Sequence, residues 1–198
     1  MSVADAPFKL PLFLLQTVVF PGGRLPLRVF EQRYLDMIKQ AIADNTPFGI
    51  CAIREGSETG TPAIPHVIGT CVRVTDWDMP QTGILHIDTQ AEGRFVIRDT
   101  HAEASGLLVG TVESVSSEAS AAVPVELELA VEILRHIIRE HGDSRFSAPH
   151  EFENAVWVGY RLSEVLPLKL SIKQSLLEMN DSVMRLRILT EFLKKQIN

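Results

Sequence analysis

The chain has 198 residues, 45 % of them hydrophobic, 22 % charged and 7 % aromatic, with 11 prolines and 12 glycines, which excludes a disordered, collagenous or low-complexity protein. A chain of this length buries about 70 % of its unfolded surface, so its core needs no metal or disulfide staple, and length alone allows one large domain or two small ones. The formal charge of −6 argues against a nucleic-acid binder that works by bulk positive potential.

The N-terminal stretch carries Asp5 and no basic run ahead of its apolar segment, unlike a secretory signal, and no segment reaches the roughly 20 apolar residues that span a bilayer. A cytoplasmic location is expected. The first pattern, Phe8 to Phe20, is rich in Leu and Val and is cut by Pro21-Gly22-Gly23, a strong turn signal. A short Leu25–Leu27 segment follows. The stretch after it places Phe30, Tyr34, Met37, Ile38, Ala41 and Ile42 on one face, which predicts an amphipathic helix ended by Asn45-Thr46-Pro47. Phe48 to Ile53 reads as a strand, and Glu55 to Pro65 as a loop of Gly, Ser, Thr and Pro.

Val67 to Val74 is the next strand, and Trp77 to Gly83 reads as a hairpin tip leading into Ile84 to Thr89. Alternation there puts Leu85 and Ile87 on one face and Ile84, His86 and Asp88 on the other. Ala91-Glu92-Gly93 reads as another turn before Phe95-Val96-Ile97, and Leu107 to Val115 as a last strand. Short strands with regular turn signals predict a closed or nearly closed antiparallel sheet. Cys51 and Cys71 each sit inside a strand pattern and are expected as small buried hydrophobes, not as a disulfide or a zinc site.

Helical periodicity takes over near residue 120, after the small, polar, linker-like SVSSEASAAVP. Pro124 opens a helix running to His141 and stopping at Gly142, with Leu127, Leu134 and Ile138 as its buried stripe. Phe152, Val156, Tyr160 and Val165 predict a second helix that Pro167 ends. Ser171 and Gln174 form a capping-box pattern for a third. Asp181 or Ser182 caps a fourth that carries Leu186, Leu189, Phe192 and Leu193. The expected units are a β-barrel over residues 1–118 and a helical bundle over 119–198.

The sequence holds no phosphate-binding GxxxxGK[ST] loop, GxGxxG, GxSxG elbow or HExxH helix. His136 and His141 are five apart and point different ways on a helix. A Ser171–Lys173 pair is off one helical face, and Asp76, Asp78 and Asp88 read as turn formers. No catalytic centre, metal or cofactor is expected. Two features stand out as binding surfaces: Trp77 and Met79 between aspartates, and Arg24, Arg28 and Arg33 around and after the Pro21-Gly22 turn.

The segment LPLFLLQTVVFPGGRLPLRVFEQRYLDMI, then FGICAI, VIGTCVRV and EGRFVI, then WVGYRLSEVLPL, KQSLLEMND and RLRIL, resemble in order the Lon protease N-terminal domain family. The similarity runs from about residue 8 to 195. It implies an α+β fold, a PUA-like antiparallel pseudo-β-barrel with one inserted helix followed by a C-terminal α-helical bundle. It also implies a non-catalytic, stand-alone polypeptide-recognition module, without ATPase or protease modules, for unfolded or exposed apolar segments. The expected peptide contacts are Arg28, Arg33, Tyr34, Trp77 and Met79. The alternative that a PUA-like fold raises, RNA binding, is disfavoured by the net charge and by the lack of a basic stripe with interleaved aromatics.

Overall fold

A computed structural model describes residues 6–58, 63–141, 146 and 148–197. Contacts cluster into two compact units, Met1–Ser116 and Ser117–Asn198.

Among the described residues the first unit contains seven strands: β1 (Phe8–Leu15), β2 (Arg24–Val29), β3 (Phe48–Glu55), β4 (Ile64–Pro65), β5 (Ile68–Gln81), β6 (Ile84–Ala102) and β7 (Leu108–Ser114). Helix α1 (Gln32–Asp44) is inserted between β2 and β3. The sheet order is β1-β7-β6-β5-β3-β4, and β1 also pairs with β3, from Leu12 opposite Gly49 to Leu15 opposite Ala52. That last pairing closes the barrel and is its one parallel seam among the described pairings. Parallel neighbours need a long crossover, and β2 with α1 forms it here.

β6 is the spine of this unit. β5 follows one edge of it; the other edge is shared by β2, from Arg24 opposite Gln90 to Val29 opposite Leu85, and by β7, from Phe95 opposite Ser114 to Ala102 opposite Leu108. The turn expected at Ala91-Glu92-Gly93 is instead a bulge within this continuous 19-residue strand. Thr70 faces Arg94 and Val72 faces Ala91, so β6 carries one extra residue and bends without reversing. The Pro21-Gly22-Gly23 turn docks at the bend: Gly22 N–H donates to Ala91 O at 3.0 Å and Ala91 N–H to Gly23 O at 2.8 Å. Gly22 has φ +76°, the left-handed region that glycine occupies without strain.

One core cluster gathers Phe13, Tyr34, Ile38, Phe48, Leu85 and Ile87 between α1 and the sheet. A second gathers Leu12, Leu14, Cys51, Phe95 and Val112. Phe30, expected on the apolar face of the helix, is 60 % exposed. It follows buried Val29 at the end of β2, where strand alternation turns it outward, and α1 starts two residues later. Cys51 and Cys71 are both free thiols. Burial pushes both upward, Cys71 to about 12 and Cys51 further still, so both stay protonated and poorly nucleophilic.

In the second unit Pro124 precedes a 3-10 turn, Val125–Leu127, that leads into α2 (Glu128–His141); α3 (Ala155–Val165), α4 (Leu170–Glu178) and α5 (Ser182–Ile197) follow. Leu127, Leu134 and Ile138 are buried, as the periodicity predicts, and Val131 beside that stripe is buried too. The stop at Gly142 lies outside the described residues. Asn154 caps α3 by accepting from Val156 N–H at 3.0 Å, and Asp181 caps α5 by accepting from Met184 N–H at 2.9 Å. The Ser171–Gln174 capping box does not form. α4 begins earlier, with Lys169 at the cap position and Lys169 O accepting from Ile172 and Lys173 N–H. Ser171 is therefore already helical, and Gln174 donates to Glu178 instead.

The bundle also encloses an ion pair. Arg185 is fully buried and donates to both Glu118 oxygens, at 3.1 and 2.5 Å, and to the carbonyls of Leu176 and Met179. The Tyr160 hydroxyl donates to the same carboxylate, and the Arg185 guanidinium lies 4.2 Å from the Tyr160 ring centroid. Glu118, within the linker-like segment, thus belongs to the second unit, whose contacts begin at Ser117.

Candidate recognition groove

The stretch Trp77 to Gly83 is strand for most of its length. Gln81 pairs with Ile84, so the reversal is the two-residue Thr82-Gly83 turn, with Gly83 at φ +83°. Trp77 pairs with Ile87 and Asp78 with His86. β3 pairs β5 only from Thr70 to Val72; beyond that, Thr75–Gln81 is held by β6 alone, and every one of its residues is exposed.

This overhang, the middle of β6, and β2 enclose an open groove of about 420 Å³. The register sets its lining in cross-strand rows. Arg28, His86 and Asp78 form one row, and Pro26, Asp88 and Asp76 the next row on the same face. The row between them, Leu27, Ile87 and Trp77, starts on the core side, where Ile87 is buried. At Trp77 that row has passed the edge of the core, and the indole is 53 % exposed. Asp76 accepts from Trp77 N–H at 2.9 Å, and the Thr75 hydroxyl donates to Asp88 O at 3.2 Å.

Of the five expected contacts, Arg28 and Trp77 both border this groove, Arg28 in a row that faces it and Trp77 in the row between, whose side chains alternate to the other face. Met79 lies further along the same overhang, 41 % exposed. Tyr34 departs from the expectation: it is 4 % exposed, its ring stacks on Phe13 at 4.0 Å, and its hydroxyl accepts from Leu14 N–H at 3.5 Å. Burial pushes its phenol up, against the lowering influence of Arg33. Arg33 is tied down as well, by Glu31 at 2.9 Å, by the carbonyls of Gly106 and Glu58, and by the Tyr34 ring at 4.6 Å. The helix stripe that carries Tyr34 packs into the core, so a surface role does not fit it. Sequence reasoning missed His86, Asp88 and Pro26 as groove residues. Part of the signal lay in Thr82-Gly83: a two-residue hairpin turn there makes Ile84–Thr89 the partner of the stretch before it, but regular pairing from Gln81 and Ile84 would set Met79 opposite His86, and only the register shift between Asp78 and Gln81 brings Asp78 there.

The other chemical arrangements weighed from the sequence are not assembled. Lys173 donates to Glu164 O at 2.8 Å, while Ser171 is an ordinary helical residue whose carbonyl accepts from Ser175. No group of three or more metal-ligating side chains comes together among the described residues. No helix of the described residues is long and apolar enough to cross a membrane.

Barrel, inserted helix and bundle make this an α+β protein, and it offers an open groove on the sheet. Comparison with solved structures places that fold. The Lon N-terminal domain protein from Xanthomonas campestris superposes with a TM-score of 0.77 at 32 % identity, over 92 % of this chain and 96 % of that one. The N-terminal domain of Mycobacterium avium complex Lon protease gives 0.67 at 17 % identity, over 93 % and 97 %, a likeness of fold. The profile of the ATP-dependent protease La (LON) substrate-binding domain matches residues 9–195. The chain belongs to that family. Among curated relatives, Lon protease of Anaeromyxobacter dehalogenans is 27 % identical over 97 % of this chain, and Lon protease 2 of Myxococcus xanthus 26 % over 97 %. The chain spans 24 % of the length of each.

Proposed function

We propose that this chain is a non-catalytic polypeptide-recognition module whose contact surface is the groove between β2 and the β5 overhang, working in the cytoplasm on segments that unfolded or damaged chains leave exposed. The observation that carries this reading is Trp77: a large aromatic residue, half exposed, on a strand segment that contributes nothing to the core, beside an open groove. Exposed apolar groups clustered at a concavity mark partner sites, and the family's description as substrate-binding supports polypeptide as the ligand. Arg28 and Met79 extend the contact on either side. Arg33 and Tyr34 serve the fold instead, Tyr34 by packing α1 on Phe13 of β1 and Arg33 by tying α1 to the Gly106 and Glu58 carbonyls. The proteolysis for which the relatives are named is not carried over to this chain.

The test is binding of an unfolded model polypeptide to the wild-type chain and to a Trp77→Ala, Met79→Ala double variant. The expected result is a weakening of roughly tenfold or more with an unchanged melting midpoint. Unaltered affinity rejects the groove as the contact surface. Retention of RNA that falls steeply with salt, without polypeptide binding, replaces the reading altogether.

A further inference from the structure

We infer that a cavity beside α1, separate from the groove, takes the amino-terminal residue of a polypeptide when that residue is apolar. The two sites share no lining residue, so the inference goes beyond the reading above and stands or falls apart from it.

The cavity, about 340 Å³, opens between α1, the Thr46-Pro47 entry to β3, Pro11 of β1 and the turn that joins β6 to β7. Its floor is core: Met37, Ala41, Phe48 and Leu107 all belong to the cluster between α1 and the sheet. Pro11 lies two residues before Phe13, on the face of β1 that this cluster covers. On α1 the lining residues Arg33, Asp36, Met37, Gln40 and Ala41 recur at helical spacing and share one side of the helix. They therefore face one space together. The apolar layer is left open at its margin, and an apolar floor of this extent under a few polar groups is the make-up of a ligand pocket.

The rim carries two further signals. Asp36 comes from the helix and Glu103 from the turn. Among the described residues no cationic side chain makes an ion pair with either carboxylate; Asp36 accepts only from Gln32, at 2.8 Å. Arg33 spends its terminal nitrogens on Glu31 and on the Gly106 and Glu58 carbonyls, while its Nε–H is buried and finds no acceptor. A buried donor without an acceptor is rare in folded chains and calls for a partner.

The occupant that fits brings an apolar group, a positive charge and an acceptor oxygen close together. An internal leucine has no charge, and an internal lysine carries its charge at the far end of its own stem. A simple amine lacks the oxygen. At an apolar amino-terminal residue all three sit about one Cα: the side chain enters the floor, the α-ammonium faces Asp36 and Glu103, and the carbonyl oxygen accepts from Arg33 Nε–H. Capture of a terminal amine is an established mode of peptide recognition.

The experiment titrates the isotope-labelled full chain, followed by its amide resonances, with four short Gly/Ser peptides. One begins with leucine, one is the same peptide N-acetylated, one begins with glycine, and one carries the leucine at its centre. The leucine-first peptide should bind and shift the amides of Arg33–Ala41 and Glu103–Leu107. Each of the three changes should weaken it about tenfold or more, through loss of the charge or of the buried side chain. An Asp36→Asn, Glu103→Gln double variant alters exposed side chains only. It should melt with the wild type yet bind the free and acetylated peptides alike. No binding of the leucine-first peptide, equal affinity for its acetylated or glycine-first form, or an amine preference that survives in the double variant overturns the inference. If the Trp77→Ala, Met79→Ala variant loses the leucine-first peptide, that peptide sits in the groove: the reading above stands and the inference fails. If that peptide binds as expected while unfolded polypeptide ignores the groove substitutions, the inference stands and the groove reading fails.

Discussion

Replacing Glu118 by glutamine should destabilise the helical unit by about 3–5 kcal/mol, the range for removing one partner of a buried ion pair. Its side chain is 3 % exposed and that of Arg185 0 %. Glutamine keeps the volume, so packing is preserved and the loss is that of charge. The guanidinium would then have only neutral partners, the carbonyls of Leu176 and Met179, the Tyr160 ring and the single amide oxygen of the glutamine, in a site closed to water. Arg185→Met should cost a similar amount, because it leaves the Glu118 carboxylate buried with the Tyr160 hydroxyl. The two losses share one cause. The double variant should therefore be less destabilised than their sum by about 2 kcal/mol or more. Chemical denaturation followed by helical circular dichroism measures each corner of the cycle. A loss below about 1 kcal/mol for Glu118→Gln, or additive losses, would refute the reasoning and return Glu118 to the linker.

Three further predictions concern the barrel. Burial holds the Cys71 thiol at about 12 against an ordinary value of 9.0, so in the intervening range the unfolded chain binds fewer protons than the folded one. The stabilisation is complete below pH 9 and is lost as pH rises towards 12, by at most about 1.4 kcal/mol per pH unit for one thiol. Cys71→Ala should flatten the alkaline fall of the denaturation midpoint, and an unchanged slope would show the thiol not to contribute. Gly69 and Gly83 separate packing from backbone conformation. A Cβ at Gly69 would lie 2.6 Å from Cys51 Sγ and from Phe95 Cζ and 2.7 Å from Ile50 O, so Gly69→Ala should cost about 1–3 kcal/mol or more by overpacking. Gly83 has nothing within 4 Å but φ +83°, so Gly83→Ala should cost about 1–2 kcal/mol from the left-handed conformation alone. Equal midpoints for wild type and Gly69→Ala would mean that β3, β5 and Phe95 approach less closely than described.

What could be read from the chain follows the range of the physical signal. The stripe of α1 from Tyr34 onward, the Leu85–Ile87 alternation and the Asp181 cap are local: each is set by residues within a turn or two, and each appears in the structure where the pattern puts it. The bulge at Glu92-Gly93 carries the same residues as a turn, and only continued pairing with β5 on both sides decides that the chain bends and does not reverse. Glu118 stands among serines and alanines, and its partner is 67 residues away. No periodicity links them. Arg33 and Tyr34 were legible as an arginine and an aromatic residue near a turn. That the arginine is spent on Glu31 and on the Gly106 and Glu58 carbonyls, and the ring on Phe13, depends on where the sheet closes.

The same distinction bears on the groove. In Ile84–Thr89 burial alternates, Leu85, Ile87 and Thr89 inward, and the core accounts for that choice of residues. Its partner Thr75–Gln81 is exposed at every position, so folding asks of it little beyond backbone pairing with β6. A segment under that sole demand is best served by polar, β-compatible residues, and a natural sheet edge is kept polar to avoid association. This one instead sets Trp77 and Met79 among aspartates, and pairs Asp76 with Asp88 at some expense to the ladder. Stability does not explain those side chains, whereas the recognition role proposed above gives the exposed Trp77 and Met79 a use.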